Sequence, residues 1–236
     1  MTRVGLKSSI IKMLKTSRCG RWLLAKVWDL YMVLVKLRKQ YFVQKEGWFV
    51  LREVHEALTE AGISYFVDFG TLLGMIREGR FLRHDADLDI GIIGASTDVK
   101  DCLNDVLKKA GFRLSVSFWF KGSCVSQSYI YGKVKCDFCF YVQQEPLMKC
   151  WLFRRFVEGY EYSSPNEMTA FEFHYTNVNE LKALECNGIT MMIPSDPESF
   201  LVEKYGNDWR IPNKKWRYWL APRAKQCNEF GQFHYA

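Results

Sequence analysis

The sequence predicts an α+β fold, a mixed sheet flanked by helices and preceded by a basic helical arm. Three observations carry this. Segments with helical periodicity alternate with short runs rich in branched and aromatic residues from residue 46 to about 142. Glycines end the helical segments, and 236 residues with 48% hydrophobic content suffice for one substantial core. The formal charge of +7 is unevenly placed: residues 1–45 hold eleven Lys or Arg against one acid, Asp29, a surplus of +10 that leaves −3 for the remainder.

In chain order, the arm interleaves its charges with Trp22, Leu23, Leu24, Val27, Trp28, Leu30, Tyr31, Leu34 and Leu37. Apolar spacing of that kind reads as one or two amphipathic helices. Its longest uncharged apolar run, LYMVLV, is far short of the roughly 20 residues that span a bilayer, and its charges interrupt any export signal. Two expectations follow for the arm: it lies on an anionic membrane with Trp in the interface, or it packs on the body with a solvated basic face. We divide the chain into this arm, residues 1–44, and a folded domain, 45–236, and expect a cytoplasmic protein, peripheral on the membrane. The slightly acidic body has no surplus with which to neutralise a nucleic-acid backbone, so no nucleic acid is expected.

EGWFVLREVHEALTEAG continues as a helix stopped by Gly62, and ISYFVDF follows as a strand. Gly70 makes a turn, Thr71 is expected to cap, and LLGMIRE forms a short helix. DLDIGII reads as a strand, and TDVKDCLNDVLKKAG as a helix capped by Thr97 with Cys102, Leu103, Val106 and Leu107 inward. FRLSVSFWF, SQSYIYG and KVKCDFCFYV read as three further strands. Beyond residue 145 the pattern is less regular until DPESFLVEKYG, a helix capped by Asp196 and stopped by Gly206. Eight cysteines without metal-ligand spacing read as buried thiols in a reducing compartment.

The chemistry concentrates in GTLLGMIREGRFLRHDADLDIGI. On a strand, Asp85, Asp87 and Asp89 fall on one side while Leu88 and Ile90 enter the core. Carboxylates so close repel one another, and hard oxygen ligands at this spacing suit Mg²⁺ or Mn²⁺. Gly70 and Thr71 at a helix start offer an anion site beside them, Gly74 permits close approach of a ligand or strand, and Arg77 lies one turn on. Asp137, in an otherwise apolar strand, fits a third carboxylate for a second metal or a base, with Lys133 and Lys135 on its face to meet phosphate charge. Each of these motifs has an ordinary reading as well, since Asp residues end helices and lysines are commonly solvated.

GTLLGMIREGRFLRHDADLDIGI resembles the core motif of the LicD/fukutin family, and IPSDPESFLVEKYGNDWRIP is similar to that family's C-terminal segment. With KVKCDFCFY the resemblance covers roughly residues 45–215. It implies a nucleotidyltransferase fold, metal-binding Asp87 and Asp89 with Asp137 as third carboxylate, and transfer of phosphocholine or a polyol phosphate from a CDP-linked alcohol to a glycan or its lipid-linked precursor, with release of CMP. Ala86 stands where many members carry another acid, and residues 145–190 match no part of the pattern. Two other classes stay open: a nucleotidyltransferase consuming an NTP, and a membrane-tethered scaffold without activity.

Overall fold

A computed structural model describes residues 18–236, apart from residues 95, 156 and 158 and the side chains of residues 18 and 19. The first seventeen residues of the arm thus lie outside the described residues. The chain begins as one helix, α1 (Arg18–Glu60), which passes unbroken through residues 44 and 45. At 1.5 Å per residue its 43 residues extend about 65 Å.

The two halves of α1 meet different surroundings. Val43, Val50, Leu51, Val54 and Leu58 are buried in the core, and each such side chain contributes on the order of 1.5–3 kcal/mol. Between residues 22 and 37 most apolar side chains are instead exposed, Trp22 and Trp28 each at 62%, while Leu24 and Val35 are half-buried. Residues 30–34, five consecutive apolar positions, are all exposed. At 3.6 residues per turn that run goes right round the helix, so apolar groups point outward in every direction rather than along one face.

After α1 come β1 (Tyr65–Val67), α2 (Phe69–Glu78), β2 (Leu88–Ile93), α3 (Thr97–Lys109), β3 (Arg113–Phe120), β4 (Ser123–Tyr131) and β5 (Val134–Gln144). These follow the sequence reading closely. The caps differ from it: Asp68, not Thr71, accepts the first N–H of α2, and Ser96, not Thr97, caps α3. Cys102 of α3 faces solvent, while Leu103 and Leu107 are buried.

The sheet is larger than the small one expected. The irregular stretch after residue 145 forms β6 (Leu147–Arg154), β7 (Glu167–Thr176) and the hairpin β8 (Leu181–Cys186) and β9 (Ile189–Pro194). Then come the expected helix, α4 (Pro197–Tyr205), capped by Asp196, and a last strand, β10 (Ala224–Tyr235). Eight strands pair in the order β1-β2-β5-β4-β3-β10-β7-β6, with β2 parallel to β5. A further β5–β6 pairing joins six of them, β5-β4-β3-β10-β7-β6, into a closed ring. Long-range pairing of β10 with both β3 and β7 closes that ring, and periodicity along a single strand carries no sign of which partner it will find.

Candidate active site

β2 and β5 run side by side in parallel, with Asp89 directly opposite Asp137 and Leu88 opposite Cys136. Leu88 and Ile90 are fully buried, so alternation turns Asp87 and Asp89 to the other side. Asp85, Asp87, Asp89 and Asp137 all line one cavity of about 1060 Å³, together with Gly70 and Arg77.

The residues around the carboxylates hold them in distinct ways. Ser128 of β4, paired with Asp137 across the strands, donates its hydroxyl to Asp137 Oδ1 at 2.5 Å. Lys135 Nζ lies 2.5 Å from Asp137 Oδ2 and 3.5 Å from Asp87 Oδ2, so one ammonium stands between two carboxylates. Burial alone would push that ammonium down, but Asp137 and Asp87 pull it well above the usual lysine range. Asp89 accepts the Gly70 N–H on Oδ2 at 3.1 Å, and its own N–H donates to Thr71 Oγ1 at 2.8 Å.

Asp89 is held well above the usual carboxylate range by its burial and then by the charges of Asp87, Asp137 and Asp85. Asp87 is raised by burial and by Asp137. Burial and the Asp87 charge push Asp85 up to about 7, and its Oδ2 is buried with no hydrogen-bond partner. Mutual repulsion of this kind marks a site with more negative charge than its one close ammonium, Lys135, offsets. Hard oxygen donors with an orphaned carboxylate oxygen among them fit a divalent cation. Among the described residues no three such side chains stand as a ready-made metal-holding group, and the Lys135 ammonium fills the space between Asp87 and Asp137.

The remaining residues read from the sequence separate clearly. A Cβ at Gly74 would lie 2.5 Å from the Arg80 carbonyl oxygen, so Gly74 lets the loop that carries Asp85 and Asp87 pack on α2. Arg77 lines the cavity and donates to the Trp209 carbonyl at 3.3 Å. Lys133 turns away, its ammonium 4.6 Å from the centre of the Phe42 ring on α1. Thr71 is buried, and its hydroxyl serves the backbone of β2.

Several contributors were not read from the sequence. Gln40 and Gln44 of α1 donate to the carbonyls of His84 and Leu82, both at 2.9 Å, and so hold the loop before Asp85. Lys36 of the same helix lines the cavity. The far wall comes from Trp209, Lys214, Trp216, Arg217 and Tyr218, after α4, with Phe118, Trp151 and Phe153 from the ring of strands. The motif IPSDPESFLVEKYGNDWRIP, residues 193–212, was the available signal for Trp209.

A carboxylate-floored cleft on paired parallel strands, beneath the start of a short helix, is the feature that defines this chain. Residues 62–196, more than half of it, match the family described as LicD/FKTN/FKRP, nucleotidyltransferase domain, and the chain belongs to that family. It is similar to the mouse protein named Ribitol-5-phosphate transferase FKTN, 24% identical over 185 residues, which cover 76% of this chain and 36% of that protein. The human protein of the same name is 23% identical over the same shares. A Rickettsia typhi protein, RT0683, is 34% identical over 65 residues, 28% of this chain and 21% of its own length. This chain therefore spans only about a third of the length of the mouse and human relatives.

Proposed function

We propose that the chain transfers a phospho-alcohol, ribitol phosphate or a related group, from a CDP-linked donor to a hydroxyl of a glycan or its lipid-linked precursor. The observation that carries this reading is the pairing of Asp89 with Asp137 across β2 and β5, in one cavity with Asp85 and Asp87, in a chain whose relatives bear the name ribitol-5-phosphate transferase. The nucleotidyltransferase fold is part of the same reading.

The acceptor oxygen attacks the phosphorus bonded to the alcohol. A new P–O bond forms, the bond from that phosphorus to the bridging oxygen breaks, and CMP leaves with the electron pair. The acceptor proton passes to a carboxylate, which we assign to Asp137. Asp87 and Asp89, with Asp85 beside them, are the residues that would hold Mg²⁺ or Mn²⁺. The ion's contribution when bound is to neutralise charge on the diphosphate oxygens. The chain's own part is positioning and charge, as expected of phosphoryl transfer. Arg77 and Lys36 bring cations to the cavity, Lys135 pairs with the Asp137 and Asp87 carboxylates that line it, and the Gly70–Asp89 bond fixes the carboxylate at the helix start.

The exposed apolar half of α1 supports a second part of the proposal, attachment to an anionic membrane surface, where each basic residue contributes about 1 kcal/mol. No helix among the described residues is long and apolar enough to cross a membrane. A reducing, cytoplasmic setting is part of the proposal; the seven described cysteines are free thiols.

The test is incubation of the purified protein with Mg²⁺ and a panel of CDP-alcohols and NTPs. CMP release supports the transferase, whereas pyrophosphate would assign the chain to nucleotidyl transfer instead. Neither product would leave the scaffold reading.

A further inference from the structure

Lys204 is a lysine in the interior. Its side chain is 1% exposed and that of its partner Asp68 is fully buried, with 2.9 Å between Nζ and Oδ1. The same ammonium donates to the Tyr141 hydroxyl at 2.9 Å, and that hydroxyl donates to Asp68 Oδ2 at 2.5 Å. Lys204 Nζ also lies 3.6 Å from the centre of the Phe69 ring. A buried ion pair is weak evidence for stability, because desolvation offsets its attraction, so such a group invites another explanation.

The explanation lies in what Asp68 and Phe69 do. Asp68 caps α2 by accepting the Phe69 N–H at 2.7 Å, while its own N–H donates to the Asp89 carbonyl at 2.9 Å. Phe69 has φ of 37°, a left-handed conformation that a bulky residue rarely takes. With the chain turned in this way the next N–H, that of Gly70, reaches Asp89 Oδ2 at 3.1 Å. Lys204 grips both sides of this turn, the Asp68 carboxylate and the Phe69 ring. It comes from α4, far along the chain.

We infer that Lys204 is a positioning residue for the transfer: with Asp68 it locks the turn at Phe69 that aims the Gly70 N–H at Asp89. The inference rests on the proposed role of Asp89, and it gives the C-terminal helix a part in the site without contact with the reacting atoms.

The test uses the double variant Asp68→Asn/Lys204→Met, which removes both charges and so avoids stranding one of them. Two quantities are read in protein that melts cooperatively: amide exchange at Gly70, and the split of CMP release into kcat and KM. Exchange at Gly70 should quicken at least tenfold while residues 50–58 of α1 stay protected, and kcat should fall about a hundredfold with donor KM within threefold. Tyr141→Phe, which keeps the ion pair, should leave both readings close to those of the parent protein. Should Asp68→Asn/Lys204→Met not fold, Asp68→Asn/Lys204→Gln removes both charges and the cation over Phe69 while keeping a donor at residue 204, and the same two readings decide. Unchanged exchange at Gly70, or quickened exchange with normal kcat, overturns the inference. Absence of turnover by the parent protein with every CDP-alcohol defeats the proposed function instead, and Gly70 exchange still decides whether Lys204 locks the turn.

Discussion

Asp85 is the carboxylate whose Oδ2 finds no partner, and its consequences are electrostatic. Its folded-state value of about 7 lies above that of an unfolded chain, near 3.9. The folded state therefore binds more protons between those limits. The stability this group contributes is complete below about pH 4 and is lost as the pH rises through about 7. Asp85→Asn removes that loss, so in metal-free protein the variant should melt several degrees above the parent at pH 8, at roughly 2–4 °C for each kcal/mol regained, and show no such advantage at pH 4. Parallel melting profiles across this range would contradict the assignment. Asp137 differs, since both its oxygens are engaged, by Ser128 and by Lys135. Asp137→Ala should lower kcat by about 10²- to 10⁴-fold while the fold persists, because Lys135 keeps Asp87 as partner. A variant that mainly unfolds would make Asp137 structural.

At the scale of elements, α2 and the loop after it act as one piece. Gly74→Ala should destabilise the protein by about 1–3 kcal/mol and reduce turnover, since the added methyl meets the Arg80 carbonyl and shifts the loop leading to Asp85. Chemical denaturation with a parallel activity assay checks both. β1, α2, β2 and β5 were legible because their signals are local: a glycine stop, alternating apolar residues, one Asp in an apolar strand. The opposition of Asp89 and Asp137 followed from alternation once two neighbouring strands were assumed. β6, β7 and β10 were not legible as a unit, because a ring closed by distant partners leaves no mark on any one segment. Lys204 was hidden for a similar reason. It sits between Glu203 and Tyr205 in a short helix and reads as a solvated surface charge until Asp68 is placed against it.

The whole molecule carries a helix with two kinds of surroundings. Its second half belongs to the core and to the loop that leads to Asp85, through Val43, Gln40 and Gln44, whereas residues 22–37 present most of their apolar side chains outward beside a basic surplus. The 236-residue chain should bind anionic vesicles in a salt-sensitive manner, and sedimentation at low and high salt reads this directly. Removal of residues 1–34 should abolish vesicle binding and spare turnover of a soluble acceptor. Removal through residue 44 should cost turnover as well, because Lys36, Gln40 and Gln44 go with it. An intact protein that ignores vesicles even at low salt would show that something other than lipid meets this surface. The central claim, that the Asp87–Asp89–Asp137 cleft performs phospho-alcohol transfer, is tested most directly by CMP release from CDP-ribitol in Mg²⁺, compared among the parent protein, Asp87→Asn and Asp89→Asn. We predict CMP from the parent, its loss on addition of a chelator, and none from either variant although both melt as the parent does. An undiminished rate of CMP release in either folded variant would contradict the account.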